Sequence, residues 1–254
     1  MSGPMRRLFP LGLILALATA PSRDAGAQAL LSDVSVHLEA ARYQPTEPEL
    51  QWTGWIGAGA GLVRVAEVTG YFTADVESIL GNVRRPFEAN QANYHLELGL
   101  RRPLGTFMAG LFFHHVSRHA VDRDKEQAVD WNVLGVRASG PVARGLHLRF
   151  SAGHTTQASL VGYRWELTAG LDVAARGRSY AAADVRLVTV DPDPAFLRGN
   201  FVDLRAEAGA RWPRGEAVLE TFAAFERRND VLLLVPATRE RLLLGFRIRY
   251  RSGG

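Results

Sequence analysis

The stretch NYHLELGLR, residues 93–101, decides the fold class. Its large apolar residues stand at every second position, and the positions between them are occupied by Asn93, His95, Glu97 and Arg101, with Gly99 among them. A period of two is typical of a β-strand with one apolar and one polar face, because successive side chains of a strand point to opposite faces. The stretch therefore predicts a strand.

The same alternation recurs along the chain. About twelve segments carry it, each near the ten residues that a tilted membrane-crossing strand requires. The predicted strands are 32–43, 50–63, 66–77, 91–101, 105–118, 127–139, 144–154, 161–173, 178–188, 200–211, 216–227 and 239–250. Their polar faces are densely charged with both signs, which suits a closed lumen lined by arginine–carboxylate pairs. After residue 27 the sequence contains no run of about 18 apolar residues, so no transmembrane helix is predicted there.

The connections between these strands alternate in length. Short ones are expected at 64–65, 102–104, 140–143, 174–177 and 212–215, and longer ones at 78–90, 119–126, 189–199 and 228–238. An even strand count with short turns on one side and long loops on the other is typical of a bacterial outer-membrane barrel. A soluble β-sandwich is the competing fold, but these strands are long and evenly spaced. We expect an all-β fold, a closed antiparallel transmembrane β-barrel of about 12 strands.

The N-terminus predicts export. Arg6 and Arg7 precede the apolar run 8–20, and Ala25-Gly26-Ala27 offers a small-x-small cleavage site. This order of features is typical of a secretory signal peptide. We therefore expect a signal peptide at 1–27, an outer-membrane β-barrel at 28–254, and residence in the bacterial outer membrane. The chain has no cysteine, so neither a lipoprotein anchor nor a disulfide framework is expected.

The charge is almost balanced. Residues 28–254 carry 27 basic and 25 acidic side chains, spread along the chain. A nucleic-acid-binding protein usually shows a concentrated basic patch, so we expect no nucleic-acid partner. The expected partners are outer-membrane lipids, namely phospholipid and lipopolysaccharide.

The stretch GLFFHHVSRHAVDRDKEQAVDWN, residues 110–132, carries the candidate chemistry. His115 and Ser117 share one face of a strand, because their spacing is two. If the hairpin is symmetric about its loop, His115 falls near Asn132 and Ser117 near Asp130, on the lipid side and close to the outer leaflet. Polar groups that face lipid are costly unless they are paired or functional.

These residue types suit nucleophilic catalysis. Serine is a poor nucleophile until a neighbouring base removes its proton, and histidine performs this task near neutral pH when a third group fixes its tautomer. An H-x-S pair on a strand brings nucleophile and base close together. Asn132 or Asp130 on the adjacent strand can supply the third member.

This stretch resembles outer-membrane phospholipase A, which carries H-x-S-N-G at the outer end of one strand and S-W-N on the next, and also the lipid A deacylases of the outer membrane. The resemblance implies that Ser117 is the nucleophile, His115 the base and Asn132 the orienting group, with calcium as a possible cofactor. The chain departs from the phospholipase pattern at Arg118 and His119, which replace Asn-Gly, and in a longer loop. These departures leave the oxyanion stabilisation and the calcium site open.

A second resemblance extends the motif. HVSRHAVD, residues 115–122, is similar to the H-x-S-S-H-x-G-D signature of an uncharacterised family of bacterial outer-membrane proteins. The similarity implies that His119 and Asp122 belong to the motif and leaves the activity open. The spacing of His115, His119 and Asp122 is also compatible with a metal site, although strand-plus-loop spacing is weak evidence for coordination.

The alternatives are structural. The H-x-S pair fits a polar strand end equally well, with Phe112, Phe113 and Trp131 as an aromatic girdle. Because the residues on either side of Asn132 are also apolar, its side chain can equally point inward. The leading hypothesis is a lipid-facing serine acyl hydrolase acting on phospholipid or lipid A. The alternative is a non-catalytic structural barrel or a narrow solute channel.

Three further features have structural explanations. Glycines in WTGWIGAGAG allow a phosphate loop or, with no helix or lysine following, a glycine-rich strand. Arg84 and Arg85 are candidates for contacting lipopolysaccharide phosphates or are solvated loop charges. Four charged residues suit either a selective pore or a lumenal ion-pair plug. The glycines are Gly54, Gly57, Gly59 and Gly61, and the charged residues are Asp203, Arg205, Glu207 and Arg211.

Overall fold

A computed structural model describes residues 30–121, 128–192, 198–233 and 237–252. Its twelve strands are β1 Leu30–Gln44, β2 Trp52–Val65, β3 Val68–Gly81, β4 Glu88–Leu104, β5 Phe107–Ala120, β6 Val129–Ala143, β7 Leu146–Ala158, β8 Tyr163–Ala174, β9 Ser179–Val190, β10 Phe201–Arg214, β11 Ala217–Arg228 and β12 Arg239–Arg251. In this part of the chain, no helix is long and apolar enough to cross a membrane. The expected signal peptide, 1–27, lies outside the described residues.

Each strand pairs antiparallel with the next one along the chain, and β12 pairs with β1. The closing seam runs from the pair Ser35–Arg251 to the pair Gln44–Leu242. Closure leaves no exposed sheet edge, whereas a sandwich would leave open edges in both of its sheets. The predicted all-β, closed antiparallel barrel of twelve strands is confirmed, and the sandwich is excluded.

The strands are longer than the alternation predicts. They contain 12 to 17 residues, and β4 extends over Glu88–Leu104 where the prediction was 91–101. The expected long loop at 78–90 is shorter, because Ile79 still pairs with Gln91 and Gly81 with Glu88. Apolar–polar alternation fades at the rim, but the backbone ladder continues there. The sequence pattern therefore marks the centre of each strand better than its end.

The two faces of the barrel differ in polarity. On β4 the outward side chain of Leu98 is 54% exposed, whereas the neighbouring inward side chain of Glu97 is 8% exposed. Large apolar residues repeat this outward position around the barrel, as the lipid-facing surface of a membrane barrel requires. Examples are Leu38, Ile56, Phe72, Leu98, Phe113, Leu134, Phe150, Leu167, Val185, Leu204, Leu219 and Leu244.

The lumen is crossed by arginine–carboxylate pairs. Arg247 contacts Glu39 at 2.6 Å, Glu220 at 3.0 Å and Glu207 at 3.1 Å. Arg205 bridges Glu207, Glu39 and Glu226. The other two lumenal charges singled out in the sequence are also paired, Arg211 with Asp172 and Glu220, and Asp203 with Arg186. A cavity of about 830 Å³ remains beside this network.

The described part of the connection between β11 and β12 contacts lumenal side chains at the outer end of the barrel, which is the end opposite both termini. Asp230 pairs with Arg118 at 3.0 Å and with Arg198 at 2.6 Å, and it accepts a hydrogen bond from Tyr163 at 2.5 Å. Burial raises the pKa of Asp230, but the two guanidinium groups outweigh burial and leave this pKa below its ordinary value. We call these four residues the mouth anchor.

The glycine-rich stretch is part of β2. A Cβ at Gly57 would lie 1.7 Å from Asp75 Oδ1 and 2.4 Å from the His37 ring. Glycine therefore leaves room for the lumenal pair of His37 and Asp75, which are 3.4 Å apart. The prediction of a glycine-rich strand rather than a phosphate loop is confirmed. Arg84 and Arg85 lie exposed in the β3–β4 connection.

Candidate functional site

The hairpin of β5 and β6 separates its side chains into an inner and an outer set. On β6 the side chain of Leu134 is 53% exposed, whereas that of Val133 is 1% exposed. Residues that share the parity of Leu134 and Phe113 therefore face outward. This outer set includes all four residues predicted for the active group, which are His115, Ser117, Asp130 and Asn132.

The directions of Phe112, Phe113 and Trp131 show which of them can belong to an aromatic girdle on the outer face. Phe112 and Trp131 are buried in a cluster inside the barrel, and the Trp131 ring lies 4.4 Å from that of Tyr163. Phe113 alone of the three expected girdle aromatics faces outward. The girdle interpretation is therefore wrong for Phe112 and Trp131. The inward direction of Trp131 also excludes an inward Asn132, because successive side chains alternate.

The register across the hairpin is the predicted one. His115 pairs with Asn132, and Ser117 pairs with Asp130. His115 Nδ1 lies 2.7 Å from Asn132 Oδ1. A carboxamide oxygen accepts only, so Nδ1 carries the proton and Nε2 keeps its lone pair. Asn132 Nδ2 in turn donates to Gln157 Oε1 on β7 at 3.3 Å, which fixes the direction of the amide.

Ser117 contacts the histidine on its other side. Its Oγ lies 2.5 Å from His119 Nε2, and the described residues show no hydrogen bond between Ser117 and His115. The His119 ring packs edge-on against Tyr94 of β4, with centroids 5.6 Å apart. The serine thus has one histidine in direct contact and a second, held by Asn132, two residues away.

Asp130 has a different partner. Ser159 Oγ donates to Asp130 Oδ2 at 2.6 Å, and the backbone N–H of Asp130 donates to Ser159 Oγ at 3.2 Å. These bonds tie the outer end of β6 to the β7–β8 connection. Of the two candidates for the third member of the active group, Asn132 contacts a histidine, and Asp130 contacts Ser159.

The residue after the serine faces the other way. Arg118 is buried in the lumen, where it contacts Asp230 and Asn93 and donates to two backbone carbonyls of the β11–β12 connection. It therefore belongs to the mouth anchor and cannot reach a substrate at Ser117. The departure from the Asn-Gly pattern at this position has a structural explanation.

The described residues provide no set of donor atoms for the metal site that the spacing of His115, His119 and Asp122 allows. Asp122 lies outside the described residues, and His119 contacts Ser117. Within the described ranges, no group of three or more histidines and carboxylates is arranged to hold a metal. Calcium takes six to eight oxygen ligands, whereas the described carboxylate nearest Ser117 in register, Asp130, is bound by Ser159. This donor set does not fit calcium.

An apolar surface adjoins the active group on the side of the membrane centre. Leu96 pairs with His115 in the sheet, and Leu98 pairs with Phe113, which pairs with Leu134. All four apolar side chains are well exposed on the outer face. We call Leu96, Leu98, Phe113 and Leu134 the acyl shelf. Polar groups therefore stand at the edge of an apolar surface.

Sequence reasoning missed Gln157 and Tyr94. Gln157 reaches Asn132 because the β6–β7 register shifts between Asn132 and Val133, and such a bulge leaves no mark in an alternation pattern. Tyr94 pairs with Ser117 across β4 and β5. Counting outward from the turn near residue 105 would have found this pair, because a short turn sets the register.

Comparison with known proteins shows similarity of fold to solved structures. No protein-family model matches the chain, and no curated protein matches it. Among solved structures, it is similar to a calcium-bound dimer of outer membrane phospholipase from Salmonella typhi, with 10% identity, a TM-score of 0.57 and coverage of 85% of this chain and 90% of that one.

A porin and a channel show comparable similarity. The KdgM porin shows 7% identity, a TM-score of 0.54 and coverage of 85% and 98%. An outer membrane channel from Pseudomonas putida F1 shows 10% identity, a TM-score of 0.55 and coverage of 91% and 99%. Likeness at this identity concerns architecture only, since one fold hosts many functions. The chain has the fold of bacterial outer-membrane β-barrels, shared by phospholipases and channels.

Proposed function

We propose that this chain is an outer-membrane serine acyl hydrolase that cleaves ester-linked acyl chains of phospholipid or lipid A at its lipid-facing surface. The observation that carries the proposal is the 2.7 Å contact of His115 Nδ1 with Asn132 Oδ1, beside Ser117 on the outer face. A histidine held in this tautomer presents its other nitrogen as a base. Polar groups at this place are costly unless they are paired or functional.

The reaction follows from these roles. Ser117 Oγ bonds to the ester carbonyl carbon while its proton moves to His115 Nε2. The bond to the alcohol then breaks, and His115 returns the proton to the leaving oxygen. Water next attacks the acyl-serine and gives its proton to His115. The bond between the acyl carbon and Ser117 Oγ then breaks, His115 returns the proton to Oγ, and the fatty acid is released. In an unliganded enzyme such catalytic hydrogen bonds are often long and shorten when substrate binds. The lack of a His115–Ser117 hydrogen bond among the described residues is therefore compatible with these roles.

The acyl shelf supports a lipid substrate. An acyl chain lying along Leu98 and Phe113 would place its ester at the level of His115 and Ser117, where the apolar surface ends. Phospholipid and lipid A share this arrangement of apolar chain and polar head. The substrate class therefore follows from the boundary between the shelf and the active group.

The experiment uses protein extracted in detergent from outer membranes. Fatty-acid release is measured from phosphatidylethanolamine and from lipopolysaccharide, with calcium or with a chelator. Ser117→Ala is compared with Ser139→Ala, a lumenal serine on the same hairpin. Release that is lost only in Ser117→Ala supports the proposal. A folded barrel that releases nothing from either lipid contradicts it.

A narrow solute channel is the second candidate. The 830 Å³ lumenal cavity favours it, and the mouth anchor opposes it by holding buried side chains across the outer part of the lumen. Single-channel recording in a planar bilayer distinguishes the two functions. Steady conductance of the unmodified protein would favour a channel.

Export and residence in the outer membrane belong to the same proposal. We propose that cleavage after Ala27 removes residues 1–27. Mass spectrometry of the protein from outer membranes tests the cleavage site, and fractionation on a density gradient tests the location. A chain recovered from the cytoplasmic fraction with residue 1 in place would contradict both.

A further inference from the structure

Ser117 is the one member of the active group whose reacting atom already has a close partner. Its Oγ lies 2.5 Å from His119 Nε2. The active group needs one further component, because the carbonyl oxygen of an ester becomes negatively charged when serine attacks. Esterases stabilise this oxyanion with hydrogen-bond donors about 3 Å away, and losing one donor costs roughly 10²- to 10³-fold in rate.

The strand offers no backbone donor for this task. Ser117 is paired with Tyr94 on one side and with Asp130 on the other, so its peptide groups lie inside the sheet. Arg118 is likewise paired on both sides, and its side chain points into the lumen. Among the residues that the structure describes, a donor for the oxyanion must therefore be an outward side chain close to Ser117 Oγ.

We infer that His119 is a further catalytic residue that donates its Nε2–H to the oxyanion, an inference that rests on the proposed function. In the free enzyme this N–H bonds to Ser117 Oγ. When Oγ attacks, the carbonyl oxygen arrives next to it and takes over the hydrogen bond. The proton of Ser117 still goes to His115, because Asn132 holds His115 with a free Nε2 lone pair.

The surroundings of the two histidines separate their roles. His115 has an acceptor on Nδ1, which is what a base requires in order to stabilise its protonated form. The His119 ring packs edge-on with that of Tyr94, a contact that fixes the ring position, and no described residue supplies an acceptor for its second nitrogen. One histidine is therefore equipped to take a proton, and the other to hold a donor in place.

Glutamine at position 119 separates donation from proton transfer. Its amide donates a hydrogen bond, but it cannot accept a proton from serine. We expect His119→Ala to lower kcat roughly 10²- to 10³-fold and His119→Gln to recover activity to within about 10-fold of wild type. His115→Gln should be as inactive as Ser117→Ala. His154→Ala, another outward histidine packed against an aromatic ring, Trp165 at 4.7 Å, is the matched control and should stay fully active.

The outcomes distinguish the inference from the function on which it rests. Full activity of His119→Ala, or an inactive His119→Gln beside an active His115→Gln, would overturn the donor role. In the second case His119 would be the base. Rescue by Gln with an unchanged acidic limb of the pH–rate profile supports the inference. If fatty-acid release by the wild-type barrel does not depend on Ser117, the proposed function itself is contradicted. That result is obtained before any histidine variant is compared.

Discussion

Ser117 and Arg118 are consecutive residues of β5, yet they lie in opposite environments. Ser117 faces outward at the edge of the acyl shelf, and its side chain contacts His119. Arg118 faces the lumen, where Asp230, Asn93 and two backbone carbonyls receive its guanidinium group. On the outer face of this hairpin a few polar groups form a small cluster, whereas the inner face of the barrel has many polar groups in paired networks.

This difference shows how a barrel divides stability from chemistry. Buried charges are tolerated when they are paired, so the lumen concentrates its arginines against carboxylates. A polar cluster at the lipid boundary adds little to stability and costs desolvation. Substitutions on the outer face should therefore change activity alone, and substitutions on the inner face should change stability first.

The largest expected effect comes from the outer face. Ser117→Ala should lower fatty-acid release by at least about 10³-fold, because the nucleophile is lost, while the free energy of unfolding in urea changes by less than about 0.5 kcal/mol. Release and unfolding are measured on the same preparation. A large loss of stability would break the division between the two faces.

The inner neighbour should show the reverse. Arg118→Met leaves Asp230 with one buried guanidinium partner, so we expect the free energy of unfolding to fall by about 3 kcal/mol. Arg149→Met is the control, since Arg149 and Asp184 form a half-exposed pair at 2.7 Å and exposed pairs contribute less than about 1 kcal/mol. Equal effects of the two variants would contradict the importance of the mouth anchor.

A smaller effect on rate is expected at the orienting residue. Asn132→Ala removes the acceptor for His115 Nδ1 and should lower kcat roughly 10²-fold, at the lower end of what general acid–base catalysis contributes. KM should change little, because the acyl shelf is intact. Steady-state kinetics on phosphatidylethanolamine micelles measure both constants. An unchanged kcat would remove Asn132 from the active group.

The smallest effect concerns pH. The folded pKa of Asp230 is lowered, so its contribution to stability is present above the unfolded carboxyl pKa of about 3.9 and is lost as pH falls through the folded pKa. The free energy of unfolding should therefore drop from pH 7 to pH 3 by more in wild type than in Asp230→Asn. Parallel profiles would show that other carboxylates dominate acid destabilisation.

Much of the fold could be predicted because alternation is local. The alternation of Leu96, Leu98 and Leu100 with polar residues predicts a strand and its outward face, and it involves only neighbouring residues. The ends of the strands could not be predicted in the same way, because at Ile79 and Gly81 the backbone ladder continues past the alternation. Backbone pairing there depends on the partner strand and not on the side chains of the segment itself.

The candidate site was predictable in part for the same reason. The pairs His115–Asn132 and Ser117–Asp130 follow from counting residues symmetrically about one loop. Gln157 did not follow, because a bulge between β6 and β7 sets its position. The contact of Ser117 with His119 could not be predicted from the sequence either. Two histidines flank the serine at equal spacing, and the side-chain rotamers determine which of them contacts it.

By itself the sequence determined the strand period, the barrel class, and the common face of His115, Ser117 and His119, since these depend on side-chain alternation along one strand. Only the tertiary structure decided that Asn132 points outward, that its oxygen meets His115, and that Arg118 is bound to Asp230 more than 100 residues away. The direction of Asn132 depends on the packing of its neighbour Trp131 inside the barrel, and the contact of Arg118 depends on closure of the barrel, which brings a distant connection into the lumen.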